Sequence, residues 1–330
     1  MSGAVWAVAE LDADGLPTRL SLEAATAART LAAAAGLSSA AIVAGVDPDP
    51  AAGALAQYAD RVIVVRLPPG SSGSNVAAAG AIATAAVAEQ PDVLVVGATP
   101  DGREASGILA ARLGRGVLGN ATGLAWSEGG DGAPTGPRVE MSVLGGRALT
   151  SSAFADGRGI ITLRPGAVTA APAEAAGTID DVTIPAPAST GVHVLRRADA
   201  ATRAASIEEA PIVVAGGRGL GGPDGVALLE ELAGALGGAV AATRAAVDAG
   251  WLPFSVQVGQ TGKTIRPAVY VGIGVSGAIQ HRVGMQDAQT IVAINRDPDA
   301  PLAEHADLYV VGDLFEVVPA IIAALRARAT

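Results

Sequence analysis

The chain contains no cysteine, which excludes disulfides, thiolate metal sites, iron–sulfur clusters and cysteine nucleophiles together. Aromatic residues are scarce, at 3% of 330 residues, and charged residues make up 16%. Half of the chain is nevertheless hydrophobic, so aliphatic material for a core is plentiful and global disorder is excluded. No apolar stretch approaches the roughly 18 uninterrupted residues that a membrane span requires; the runs are short and broken by Gly, Pro, Asp or Arg. The opening MSGAVWAVAELDADG has no basic region of the kind that begins a signal peptide, and a cytoplasmic location is expected. His193, His281 and His305 stand far apart and give no metal-ligand spacing, so no metal is expected. A formal charge of −10 argues against a nucleic-acid partner. It would suit docking to basic patches on other proteins, and equally suits plain solubility.

Lysine is almost missing too: Lys263 is the single one, and the other 21 basic residues are arginine. Of seven glutamines, five (Gln257, Gln260, Gln280, Gln286 and Gln289) fall within 33 residues. Side-chain amides and an ammonium gathered in one stretch suggest polar recognition there, with chance clustering as the alternative.

What is present alternates strand and helix signals over a length suited to two domains. Strands are expected at 4–10, 39–45, 59–66 and 92–99, and helices at 21–36 (ending at Gly36), 75–90 and 105–114. The runs VIVV and VLVV lack alternation and read as strands buried on both faces. Strand–helix alternation then implies a parallel sheet covered by helices. From about 120 to 165 the helical signal fades, and extended strands or a hairpin are expected. The segment 167–206 is rich in Ala, Pro, Gly and Thr with little periodicity, and is the expected linker. A second α/β unit follows, with strands at 211–216, 239–244, 268–274, 290–295 and 307–312 and helices at 223–237 and 314–327. The expected fold is α/β, in two domains of mainly parallel sheet flanked by helices, spanning 1–200 and 207–330.

Three stretches carry chemistry. Residues 217–222, GRGLGG, satisfy G-x-G-x-x-G between a strand and a helix, where backbone N–H groups and a helix N-terminus can meet a pyrophosphate. The acidic residue that would grip a ribose is missing, because Thr243-Arg244 closes the next strand. A plain strand–helix turn explains the glycines as well. VGQTGKT (258–264) ends like a phosphate loop, but the glycine required five residues before Gly262 is Gln257, so an ATPase reading fails. In 269–295 a strand enters a glycine-rich turn, then a short helix carrying Gln280 and His281, then a strand ending in Asn295. Hydroxyl, imidazole and carboxamide groups would converge there on something polar and planar. For His281 alone, a satisfied structural role is the simpler reading.

GGRGL, AATRAAVDAG, VQVGQTGK, GVSGAIQH, TIVAIN and GDLFEVVP occur in that order, and together they resemble the electron-transfer flavoprotein alpha subunit over about residues 211–320. The N-terminal half matches only in general character. Thr243 stands where the family often has serine, and Gly272 where it usually has alanine or threonine. The resemblance implies a Rossmann-like or DHS-like FAD-binding domain in the C-terminal half. It implies FAD contacts from Arg218, Thr243, Arg244, Val258, Gly259, Gln260, Thr261, Ser276, Gly277, Ala278, Ile279, Gln280, His281, Asn295, Asp313 and Leu314. In that scheme the glycine-rich turns and Ser276 serve the pyrophosphate, and Asn295 and Asp313 the adenosine end. Thr261, Arg244 and His281 surround the isoalloxazine ring, where a guanidinium and an imidazole would favour the one-electron anionic semiquinone.

The resemblance further implies a heterodimer with a beta subunit that carries AMP. Electrons would come from acyl-CoA and other flavin dehydrogenases, as in fatty acid beta-oxidation, and pass towards a quinone oxidoreductase. The chain itself shows no general-base carboxylate pair and no nucleophile–histidine pair, in keeping with a carrier that turns over no substrate of its own. Two alternatives stand beside this. One is an NADP-dependent oxidoreductase using residues 217–222 and Arg244, the other a redox-silent adenine-nucleotide-binding module.

Overall fold

The computed structural model describes residues 3–12, 14–68, 75–130, 134–143, 148–183, 207–208 and 210–329. The chain divides into two compact units, Met1–Ala198 and Asp199–Thr330. The first unit starts with β1 (Ala4–Val8), α1 (Arg19–Ala35), β2 (Ser38–Gly45), α2 (Asp49–Leu55), β3 (Arg61–Arg66) and α3 (Asn75–Glu89). It continues through β4 (Val93–Gly97), α4 (Pro100–Leu113), β5 (Val117–Ser127), β6 (Gly136–Val143), β7 (Ala148–Ala153), β8 (Gly159–Leu163) and β9 (Thr178–Val182). Its sheet has the order β7-β6-β5-β8-β4-β1-β2-β3-β9. Only the β5-β6-β7 ribbon is antiparallel.

The unbroken apolar runs have a direct physical outcome. Along β1, β3 and β4, alternate residues enter opposite cores: Val5, Val62, Val64, Val93 and Val95 pack on the face covered by α1 and α2. Trp6, Ile63, Val65, Leu94 and Val96 pack on the face covered by α3 and α4. Capping sets the helix ends. Thr18 accepts from the Ser21 N–H at the start of α1, and Gly36 ends it in the left-handed region at φ 64°. Thr99 caps α4 with Pro100 as its first residue, so this helix starts five residues before the expected 105–114.

Three expectations are corrected. The short α2, with Asp49 and Pro50 in its first turn, was not foreseen, because seven Ala- and Gly-rich residues carry too little periodicity. Over 120–165 the chain does form extended ribbon, but β8 leaves it and inserts parallel between β4 and β5. Within the expected linker, β9 pairs in parallel with β3. Its side chains are largely exposed, so backbone bonds and charge hold it: Arg61 meets Asp180 at 2.7 Å and Arg66 meets Asp181 at 2.8 Å. Residues 184–206, with His193, lie outside the described residues.

The second unit contains β10 (Ile212–Gly216), α5 (Pro223–Leu236), β11 (Ala239–Ala242), α6 (Arg244–Asp248) and β12 (Val269–Ile273). It ends with α7 (Ile279–Arg282), β13 (Thr290–Asn295), β14 (Leu308–Val311) and α8 (Leu314–Ala329). All five strands are parallel, in the order β11-β10-β12-β13-β14. One face packs against α5 and α8 through Leu229, Leu232, Val318 and Ile322. The other is covered by non-helical chain carrying Val258, Ile265 and Leu302, together with Met285. β11 stops at Ala242, two residues earlier than expected, so Thr243 is the N-cap of α6 and Arg244 its first residue. Among the described residues, no helix is long and apolar enough to cross a membrane.

Trp6 is 1% exposed in the first unit's core, and its truncation leaves a cavity there. Trp6→Ala should cost about 3–5 kcal/mol and Ile63→Val about 0.5–1.5 kcal/mol, read from chemical unfolding midpoints. Equal, small effects for both would contradict the packing described.

Candidate functional site

In open α/β sheets ligands settle outside the carboxyl ends of the strands, where the strand order reverses. In the second unit that point lies between β10 and β12, since the chain runs from β10 outward to β11 and then returns to β12 on the other side. A cleft of about 710 Å³ opens there. Gly217, Arg218 and Gly219 reach it from β10, Thr243 and Arg244 from β11, Gly274 and Ser276 from β12, and Asn295 and Arg296 from β13. The turn over residues 258–261, with Gln280 and His281 of α7, also lines it.

Glycine is required where the β10 and β12 exits meet. A Cβ on Gly217 would lie 2.2 Å from the Gly274 carbonyl oxygen, and one on Gly219 2.6 Å from Gly274 Cα. The N–H groups of Gly217 and Gly219 donate to Ile273 and Gly274 at 3.1 and 3.0 Å, while those of Leu220 and Gly221 donate to Gly217 and Arg218. These four donors are therefore spent within the unit. The turn expected to present them to a pyrophosphate is first a packing device, and of its six residues Gly217, Arg218 and Gly219 border the cleft. The NADP alternative, which relies on this turn as its phosphate grip, loses that support.

The buried polar groups at the cleft differ in how far they are satisfied. Thr243 is 9% exposed, and its Oγ1 is buried with no hydrogen-bond partner among the described residues. Such an orphan hydroxyl costs about 1–3 kcal/mol. His281, 6% exposed, is the opposite case. Its Nδ1 lies 3.0 Å from the Val258 carbonyl and its Nε2 2.7 Å from the Tyr270 hydroxyl. A carbonyl only accepts, so Nδ1 carries the proton, and Nε2 accepts from the Tyr270 O–H. Burial pushes the imidazole down to about 4, with a partial offset from the Val258 bond, and pushes the Tyr270 hydroxyl up. The ring is neutral at physiological pH. The imidazole named beside the ring therefore brings no positive charge to the cleft, because desolvation disfavours its charged form.

The cationic groups at the cleft are arginines instead. Arg244 pairs with Asp248 at 3.2 Å, with side chains 68% and 64% exposed, the local pairing that the sequence spacing permits. An exposed pair of this kind contributes only about 0.3–0.5 kcal/mol, so it opens easily for another acceptor. Lys263 does not border the cleft; it meets Glu208 at 3.0 Å. Thr261 is exposed, and its hydroxyl accepts from Gln257 Nε2 at 3.1 Å, which leaves the O–H free to donate. Asn295 Nδ2 donates to the Val275 carbonyl at 3.0 Å, and its Oδ1 accepts from the Asp297 N–H at 3.2 Å.

All the residues expected at the site border the cleft except Ile279, Asp313 and Leu314. Ile279 is an exposed apolar residue at 61%, Asp313 accepts from the Phe315 N–H at the start of α8, and Leu314 packs into the core. Sequence reasoning missed Arg296, Asp297 and Ala300, which also line the cleft. They lie within five residues after Asn295, and carrying the strand-end argument past that residue would have reached them.

Known proteins match both halves of the chain. Residues 206–286 match the electron transfer flavoprotein FAD-binding domain and residues 5–189 the electron transfer flavoprotein domain. The electron transfer flavoprotein subunit alpha of Mycobacterium tuberculosis (strain ATCC 25618 / H37Rv) is 42% identical over 96% of this chain and 96% of that protein. The subunit of the same name from Thermoanaerobacterium thermosaccharolyticum is 39% identical over 98% of this chain and 97% of its own length. That from Mycobacterium leprae is 44% identical over 75% of each. With both domain models and nearly full-length relatives in agreement, the chain belongs to the electron transfer flavoprotein alpha subunit family.

Proposed function

We propose that this chain is the FAD-holding subunit of a cytoplasmic, heterodimeric electron carrier, with the cofactor in the cleft between the β10 and β12 exits. The observation that carries this is the Thr243 hydroxyl, buried without a partner among the described residues, in a cleft that opens at the strand-end switch point. Bound flavin would supply reversible one-electron chemistry. Arg218, Ser276 and Gly277 would meet the pyrophosphate, and Asn295 the adenosine end. The Thr261 hydroxyl and the Arg244 guanidinium would face the ring, with Thr243 beside them.

A beta subunit carrying AMP would complete the carrier. Electrons would arrive from acyl-CoA and related dehydrogenases and leave towards a quinone oxidoreductase. Exposed Phe254, Ile279, Leu308, Val311 and Phe315, at 49–65% exposure in the second unit, support a partner that covers apolar surface. The test is co-expression with the beta subunit followed by a visible spectrum. A purified complex should show bound flavin and be reduced in steps; a colourless complex would refute the reading.

Two substitutions examine individual roles. Thr243→Val should leave the apo complex as stable or stabilise it, because it removes an orphan hydroxyl. The same change should weaken FAD retention by about 5–30-fold, the equivalent of about 1–2 kcal/mol. Thermal unfolding of the apo complex and flavin release measure the two opposite signs. Arg244→Ala should lower the first reduction potential by roughly 20–60 mV, taking about 0.5–1.5 kcal/mol for a partly solvated hydrogen bond and ~59 mV per ~1.4 kcal/mol for a one-electron couple. Spectroelectrochemical titration decides it, and potentials that agree within error would leave Arg244 with its Asp248 pairing alone.

A further inference from the structure

Among the described residues, one face of the second sheet has no long helix over it and is covered by non-helical chain that includes Val258 at the cleft. Inside that apolar layer sits one short polar chain. The Tyr270 hydroxyl donates to His281 Nε2 at 2.7 Å, and His281 Nδ1–H donates to the Val258 carbonyl at 3.0 Å. Tyr270 is 0% exposed and does not border the cleft. Its neighbours in the layer, Val258, Val275, Met285 and Leu302, offer no alternative side-chain partner. The three members come from three places: Tyr270 from β12 at the switch point, His281 from α7, and Val258 from the start of the turn that holds Thr261.

Resting on the reading that the cleft holds FAD, we propose that Tyr270 is a positioning residue for the cofactor. Its hydroxyl holds His281 as the neutral Nδ1–H tautomer. Through the His281–Val258 bond it also sets where the 258–261 turn presents its groups to the cleft. Transmission is short, because turn and helix already touch through their backbones. The Gln260 N–H donates to the Gln280 carbonyl at 2.7 Å, and a Cβ on Gly259 would lie 2.6 Å from that same oxygen. A ring displaced from Tyr270 therefore moves the backbone that carries Gln260 and Thr261. Without the O–H, Nε2 becomes a buried acceptor with no partner, which the ring relieves by turning or by taking up a proton.

The test is ¹⁵N NMR of histidine-labelled, flavin-loaded complex with the beta subunit, together with its redox potentials. The chain has three histidines, so the His281 signal is assignable by a His281→Gln control. At pH 7 wild-type His281 should be a neutral Nδ1–H ring whose Nε2 resonance carries the upfield displacement of a hydrogen-bonded acceptor. In Tyr270→Phe that resonance should move downfield or the tautomer change, and the first flavin potential should shift with FAD still bound. An imidazolium or an Nε2–H tautomer in the wild type overturns the proposal, and this measurement decides even where the variant does not fold. A flavin-loaded Tyr270→Phe complex with unchanged His281 resonances and unchanged potentials overturns it while leaving the FAD reading intact. A colourless wild-type complex overturns the FAD reading and this inference with it.

Discussion

The close approach of the β10 and β12 exits, backbone against backbone at Gly217, Gly219 and Gly274, is the constraint on which the site depends. A side chain at Gly217 has nowhere to go, with the Gly274 carbonyl 2.2 Å from its would-be Cβ. With those exits pressed together, neighbouring strands are tied in by backbone bonds. The Thr243 N–H donates to Gly216 and the Gly274 N–H to Ile294, both at 2.9 Å. Four strand exits are thereby held to one another, and side chains more than fifty residues apart in sequence share a cleft. Rigid elements hold a binding constellation more tightly than free loops do.

Charge and polarity are divided within that frame. The groups at the cleft able to carry positive charge at neutral pH, Arg218, Arg244 and Arg296, are exposed, cheap to reorient, and set on a chain of net charge −10. The buried groups are neutral: a threonine hydroxyl without a partner and a histidine whose two ring nitrogens are both engaged. Buried polar groups are costly to move, so they preorganise a site. Exposed guanidinium groups lose little when they exchange one acceptor for another. A reduced flavin would thus meet mobile charge over a fixed neutral floor. Redox tuning and cofactor retention are then separable between Arg244 and Thr243.

Much of the architecture was legible in local sequence. VIVV and VLVV became strands buried on both faces, and Gly36 and Gly237 ended helices in the left-handed region, because these signals act over a few residues. β9 escaped notice, since four of its five side chains are exposed and its place at the sheet edge comes from pairing with β3, more than a hundred residues earlier. The same division runs through the site. Spacing along the chain marked a polar strand end over 269–295, whereas Arg218, Thr243 and Thr261 were named only through the family resemblance.

The sequence by itself determined two α/β units, a strand-end polar site in the second, and the family to which that site belongs. Only the tertiary structure decided that GRGLGG spends two of its N–H groups on the β12 exit, that the His281 ring is neutral, and that Tyr270 donates to it. Hydrogen-bond partners and desolvation depend on which distant segments pack around a group. Local spacing leaves both undetermined, as the Gly217–Gly274 contact across 57 residues illustrates.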